Sequence, residues 1–315
     1  MQQPLDSQIT LTHTLTNDDI YLAAQAELDK SPELRHIANH PRYEAAFRHA
    51  ALTTQLRQGL SVMAQRLPTT YAHGLFSAWA STVIGLEMAK PPSFCADAYL
   101  CGLCHDLGLL HIPPTLIQRD GALSEEQWRA LQSHVVIGKR LIEENCAPSK
   151  HLAQAVLEHH ERLDQTGYPT RKPPEQLGEL GRVIVASDLL HNLCSNDLTH
   201  HGPSMQAARP YLHVQRAAVS SAIHAAIFAI IRRGEGNASA AQESRLTVET
   251  THQNLDNLMI LAKSLRTAEA HTQQLSRTHE GQGVITLIAS IHSIVQQSGL
   301  NDPTLKQEIA EDKTL

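Results

Sequence analysis

Residues 157–169 read LEHHERLDQTGYP, and this stretch passes from the end of a helix into a loop. Leu157, the adjacent His159 and His160, and then Glu161 and Arg162 suit a last helical turn. Gly167 and Pro169, followed by Pro173, Pro174 and Gly178, do not suit a helix interior, because glycine costs backbone entropy and proline removes an amide donor. The segment Leu163–Gly178 is therefore expected to be a loop between two helices, with candidate ligands on both sides.

Outward from this loop, apolar residues recur at three and four positions nearly everywhere, and alternating patterns bounded by turn pairs are almost absent. The chain reads as all-α. Pro41, Pro68, Pro91 with Pro92, Pro113 with Pro114, and Pro148 punctuate successive helical segments. Ser124 with Gln127 forms a capping box, predicting a helix that runs through His134 towards Cys146. The apolar stretch Ala217–Ile231 is interrupted by Ser220, Ser221 and His224, and is shorter than the roughly 20 residues of a spanning helix. It reads as a buried core helix. GEGNASAAQES at 234–244 reads as a connector. Beyond it, Val248, Leu255, Leu258, Ala262 and Leu265 mark one helical stripe, and Val284, Leu287, Ile288, Ile291, Ile294 and Val295 another, as in a helical hairpin.

Composition narrows the function. The chain has 315 residues, 42% hydrophobic and 18% charged, enough for a core and too few charges for a disordered segment. Lys plus Arg total 26 against 32 Asp plus Glu, a formal charge of −6, so no broad basic field exists for a nucleic-acid duplex. Five cysteines without regular spacing, and a start MQQPLDSQIT unlike a signal peptide, point to a reduced cytoplasm and no membrane. Cys101 and Cys104 lack a second such pair and fit two small core residues one turn apart. The excess is in histidine, 20 residues, the commonest metal ligand.

Seven side chains form an ordered set: His73 in TYAHGLFSAWA, His105 and Asp106 in CHDLGLL, His134 in QSHVVIGKRL, His159 and His160, and Asp188 in RVIVASDLLHNL. Adjacent helical residues point about 100° apart, so neither His105 with Asp106 nor His159 with His160 is a good pincer for one ion. Both pairs suit two ions side by side, with a carboxylate bridging and imidazoles outside. Two divalent ions outweigh Asp106, Asp188 and a hydroxide, leaving a positive centre suited to a phosphodiester. A lone histidine on a helix is usually a satisfied core or surface residue. The order of the whole set is what sets it apart.

That order resembles the HD-GYP subgroup of the HD phosphohydrolase superfamily over residues 69–195. Glu161, Asp164, Gly167, Tyr168 and Pro169 match its HHE…GYP segment. The resemblance implies an HD-domain-like helical bundle with extra helices at both ends. Its parts would be an N-terminal helical segment 1–66, a metal-binding domain 67–235 and a C-terminal helical extension 236–315. It also implies two divalent ions, iron or manganese. His73, His105, Asp106 and Asp188 would hold one, and Asp106 would bridge to a second held by His134, His159 and His160, with Asp106 the catalytic residue. Thr69 stands where some members place a glutamate for a third ion. The implied reaction is hydrolysis of cyclic di-GMP or a related cyclic dinucleotide in bacterial signalling. The implied partners are diguanylate cyclase domains at the GYP loop, and the two apolar stripes beyond residue 240, which the subgroup's catalytic domain does not require, point to a second copy of the chain.

The sequence departs from that pattern where phosphate would bind. HDLGLL places Leu109 where the subgroup commonly has lysine, Gln165 replaces a glycine, GYPTRK replaces GYPxGL, and HNLCSNDLTHH supplies Asp197 and His200 where the subgroup tends to carry basic residues. Arg171, Lys172 and His111, with Tyr168, are the substrate-binding candidates that remain. The alternative function is a weak or inactive domain that binds metal or nucleotide and acts through protein contacts.

Overall fold

The structure, a computed structural model, describes residues 13–29, 42–50, 52–117, 123–145, 150–163, 165, 167–195 and 220–235. The chain forms two compact units, Met1–Ser195 and Asn196–Leu315. Every described element is helical. In the first unit these are α1 (Asn17–Leu28), α2 (Tyr43–His49), α3 (Thr54–Arg66), α4 (Pro68–Glu87), α5 (Pro92–Cys104), a 3-10 turn (Leu107–His111), α6 (Pro114–Ile117), α7 (Glu125–Gln132), α8 (His134–Asn145), α9 (Lys150–Glu158), a second 3-10 turn (Pro174–Gln176) and α10 (Glu179–Ser195). The described part of the second unit is α11 (Ser221–Glu235), with Ile223, Ile227, Ile230 and Ile231 buried. Both expected C-terminal stripes, and the connector from residue 236 on, lie outside the described residues.

The centre of the first unit is α4, in which every residue from Gly74 to Leu86 is buried. A helix apolar all round belongs inside, and the polar residues on α4 are made compatible with burial by their own backbone. Ser81 Oγ donates to the Ser77 and Ala98 carbonyls at 2.6 and 2.8 Å, and Thr82 Oγ1 donates to Ala78 at 2.7 Å. Such small side chains let α5 approach closely. A Cβ on Gly102 of α5 would lie 2.5 Å from the Ser77 carbonyl oxygen and 2.6 Å from the Ala78 nitrogen. The N-terminal helices cap this pair through rings: Tyr21 of α1 stacks on Phe47 of α2 at 4.6 Å, and Phe47 meets Tyr99 of α5 at 5.6 Å.

Pro68 and Pro92 sit in the first turns of α4 and α5, where their missing donors are unneeded. The Ser124–Gln127 capping box forms, but its helix stops at Gln132 instead of running on through His134. Ser133 Oγ donates to the Ala130 carbonyl at 2.6 Å, occupying an acceptor of the last turn, and a new helix begins at His134. Cys101 and Cys104 are buried in α5.

Candidate metal centre

Three of the expected ligands follow directly on a helix end. His105 caps α5, His134 comes one residue after the Ser133 cap of α7, and His159 follows α9. The last carbonyls of a helix have no intrahelical partner. Each ring uses one: Nδ1 of His105 donates to Gly102 O at 2.8 Å, that of His134 to Leu131 O at 2.7 Å, and that of His159 to Val156 O at 2.7 Å. A carbonyl only accepts, so Nδ1 carries the hydrogen and, in the neutral ring, Nε2 is a bare lone pair.

Those lone pairs converge. His134 Nε2 and His159 Nε2 are 3.3 Å apart, and His73 Nε2 lies 3.2 Å from His105 Nε2. Asp106 lies between the two pairs, with Oδ2 3.3 Å from His105 Nε2 and Oδ1 3.5 and 3.6 Å from His134 and His159 Nε2. Asp188 Oδ1, from α10, is 3.3 Å from His73 Nε2 and 3.8 Å from His105 Nε2. The donor atoms of Asp106, His134, His159 and His160 form one group within 4.8 Å of one another, and those of His73, His105 and Asp106 a second. All seven expected ligands are thus brought to one place, with Asp106 common to both groups.

Such a cluster of acceptors repels itself unless a cation lies within it. Two ligand atoms about 2.1 Å from one ion, at tetrahedral to octahedral angles, are roughly 3.0–3.4 Å apart, which is the spacing seen between the imidazole pairs. The residues therefore fit a metal. The negative ends of the helix dipoles at α5, α7 and α9 add to the preference for positive charge.

The charge states agree. Burial opposes ionisation of Asp106 and Asp188, but the histidines around them outweigh it and hold both carboxyls well below the usual range. Burial likewise opposes charge on His105, yet Asp106 and Asp188 push it up to about 9, so that without an ion a proton takes the cation's place. His134 and His160 are pushed down chiefly by burial, which keeps them neutral.

Close backbone approach assembles the site. Gly102 brings α5 against α4, carrying His105 to His73. A Cβ on Gly108 would run into the His134 carbonyl, so the glycine of HDLG brings Asp106 to the start of α8. Ser77 Oγ, on the same stretch of α4, donates to Asp188 Oδ1 at 3.4 Å.

The GYP loop is anchored by two buried carboxylates that the sequence reading gave no role. Glu161 accepts from Thr170 N and Oγ1 at 2.6 and 2.7 Å and from Lys172 N at 3.2 Å. Glu158 accepts from Lys172 Nζ at 2.5 Å and Gly178 N at 3.0 Å. The signal available for both was an acidic residue on each side of the histidine pair, just before a loop marked by prolines and glycines. Of the substrate-binding candidates, Tyr168 stacks on His160 at 4.7 Å, Lys172 is paired with Glu158, and Arg171 and His111 are exposed. Leu109 is buried in the first 3-10 turn. Thr69 is exposed, and Asp164 lies outside the described residues.

A family model described as HD domain matches residues 45–218. The chain is 27% identical over 127 residues to a cyclic di-GMP phosphodiesterase of Pseudomonas aeruginosa, covering 40% of this chain and 31% of that protein. It is 23% identical over 183 residues to a cyclic di-GMP phosphodiesterase of Thermotoga maritima, covering 58% and 50%. It is 33% identical over 91 residues to 3′3′-cGAMP-specific phosphodiesterase 3 of Vibrio cholerae, covering 29% and 20%. The chain spans half or less of the length of each of these relatives.

Proposed function

Because this chain belongs to the HD domain family, we propose that it is a metal-dependent phosphodiesterase that hydrolyses a cyclic dinucleotide, cyclic di-GMP or a related molecule. The observation that carries this reading is the pair of ligand groups that overlap at Asp106. One ion needs fewer donors than seven, and a shared carboxylate is what two adjacent ions require. Relatives described as acting on cyclic di-GMP and 3′3′-cGAMP support the substrate class.

The site is read as holding two divalent ions, iron or manganese. His73, His105, Asp106 and Asp188 hold one, and Asp106, His134, His159 and His160 hold the other. Bound there, the ions supply positive charge for the phosphodiester and an activated water. The chain's own residues hold and orient: the Nδ1 donors set three imidazoles, the α4–α5 contact sets His73 against His105, and the Glu161 anchor holds Tyr168 at the mouth. Tyr168, Arg171, Lys172 and His111 are assigned to substrate. Among the described residues no helix is long and apolar enough to cross a membrane; we assign the protein to the cytoplasm. We assign its GYP loop to contacts with diguanylate cyclase domains and the segment beyond residue 235 to a homodimer.

A second reading has its own observation. Leu109 is buried where the HD-GYP pattern that the chain resembles commonly has a lysine, and the Lys172 ammonium is already paired. A charge-assisted phosphate contact contributes about 1.5–3 kcal/mol, so its loss favours a domain that keeps metals, hydrolyses weakly and acts through protein contacts. Anaerobic purification and reconstitution with ferrous iron or manganese separate the readings. The enzyme reading expects two metal equivalents per chain and linear product from cyclic di-GMP or 3′3′-cGAMP, lost in Asp106→Ala. Two equivalents without product support the second reading, and a chain that stays metal-free refutes both.

A further inference from the structure

The chain has two tryptophans in opposite settings. Trp79 is fully buried in α4, whereas Trp128 is 44% exposed on α7, a helix with no buried residue. A tryptophan is highly buried on average, and a single exposed one gains meaning only from what surrounds it. Its neighbours show where it lies. The Trp128 ring meets the Tyr168 ring edge-on, 5.9 Å between centroids at 75°, and Tyr168 stacks on His160 at 4.7 Å and 27°. His160 belongs to the ligand group around Asp106. Three rings thus lead from the candidate metal centre to the surface, and the last of them is open to solvent.

We propose that Trp128 is a base-stacking residue, which receives one purine of the cyclic dinucleotide while the adjoining phosphodiester lies at Asp106. The inference deepens the phosphodiesterase reading and rests on it. An edge contact covers little of an indole, so ring surface remains for a base. Aromatic stacking uses the π-face that every base has, without reading its edge. Trp128 therefore receives the base at that position without choosing guanine over adenine, and discrimination between cyclic di-GMP and 3′3′-cGAMP falls to other residues.

The test uses the full metal-loaded chain and two variants, Trp128→Ala and Trp128→Phe. Losing one stacked base weakens binding roughly 5- to 100-fold. Trp128→Ala is expected to raise KM for cyclic di-GMP and for 3′3′-cGAMP by that factor and by similar amounts, with the loss in KM and not in kcat. Trp128→Phe is expected to restore most of it. Independently of turnover, cyclic di-GMP should quench tryptophan emission in the parent and not in Trp128→Phe, which retains only buried Trp79. Unchanged KM and unchanged quenching in the variants overturn the inference while the phosphodiesterase reading stands. A fall in bound metal in Trp128→Ala also overturns it, by showing a structural role. Quenching without any hydrolysis by the parent supports the stacking role and refutes the phosphodiesterase reading.

Discussion

Replacing Gly102 by alanine tests the claim that the metal centre is set by how closely two backbones approach. In a helix interior this change ordinarily stabilises, by roughly 1 kcal/mol from propensity alone. Here the new Cβ would lie 2.5 Å from Ser77 O and 2.6 Å from Ala78 N, both main-chain atoms that no rotamer change can move aside. Restoring an ordinary contact of about 3.4 Å requires α4 and α5 to separate by roughly 0.9 Å, and overpacking of this kind costs about 1–3 kcal/mol. With backbone on both sides the upper end applies, leaving a net loss of about 2 kcal/mol and a melting temperature lower by roughly 4–8 °C. The same separation moves His105 away from His73, whose Nε2 atoms now stand 3.2 Å apart, whereas metal–ligand distances tolerate only about 0.2 Å. Thermal melting and metal analysis are read together, with Gly59→Ala as control. Its Cβ would meet only the Leu107 side chain, at 3.3 Å, which can turn. Gly102→Ala is expected to melt lower and to lose metal from the His73–His105 group, and Gly59→Ala to keep its metal. A Gly102→Ala chain that melts at or above the parent with full metal content refutes the reasoning.

Stripping the metals with a chelator should expose the acceptor cluster to its own repulsion. At an ion concentration about a thousand times Kd the bound state gains roughly 4 kcal/mol, so the apo chain should melt about 10 °C lower and recover when manganese is restored. Glu161→Gln keeps the shape and removes the charge that Thr170 and Lys172 share. It should cost about 1.5–3 kcal/mol and speed proteolysis within residues 168–172, while an unchanged cleavage rate would show the loop to be held elsewhere. Leu109→Lys puts an ammonium at a buried position. A melting temperature lowered by several degrees is expected, and an unchanged one would show that the lysine reaches the pocket and its phosphate.

The helices, their proline starts and the Ser124 cap were legible because propensity and capping act within a few residues, a range a sequence displays directly. The identity and order of the seven candidate ligands were legible too, since Asp and His in that succession have few other uses. The placement of His159 beside a helix end was also within reach, but the consequence drawn from it was not. That the Nδ1 hydrogens go to Gly102, Leu131 and Val156, leaving every Nε2 facing inward, depends on ring orientation within the packed core. The break at Ser133 was missed because a capping box announces only where a helix begins. Glu161 was visible only as part of the HHE motif, and Glu158 not at all, until the loop folded back over them and their charges met Thr170, Lys172 and Gly178. The sequence alone therefore determined which side chains could bind a metal and in what order they come along the chain. Tertiary structure decided that they meet, because the separations across α4, α5 and α8 are set by main-chain contacts at Gly102 and Gly108 between segments far apart along the chain, which no local periodicity records.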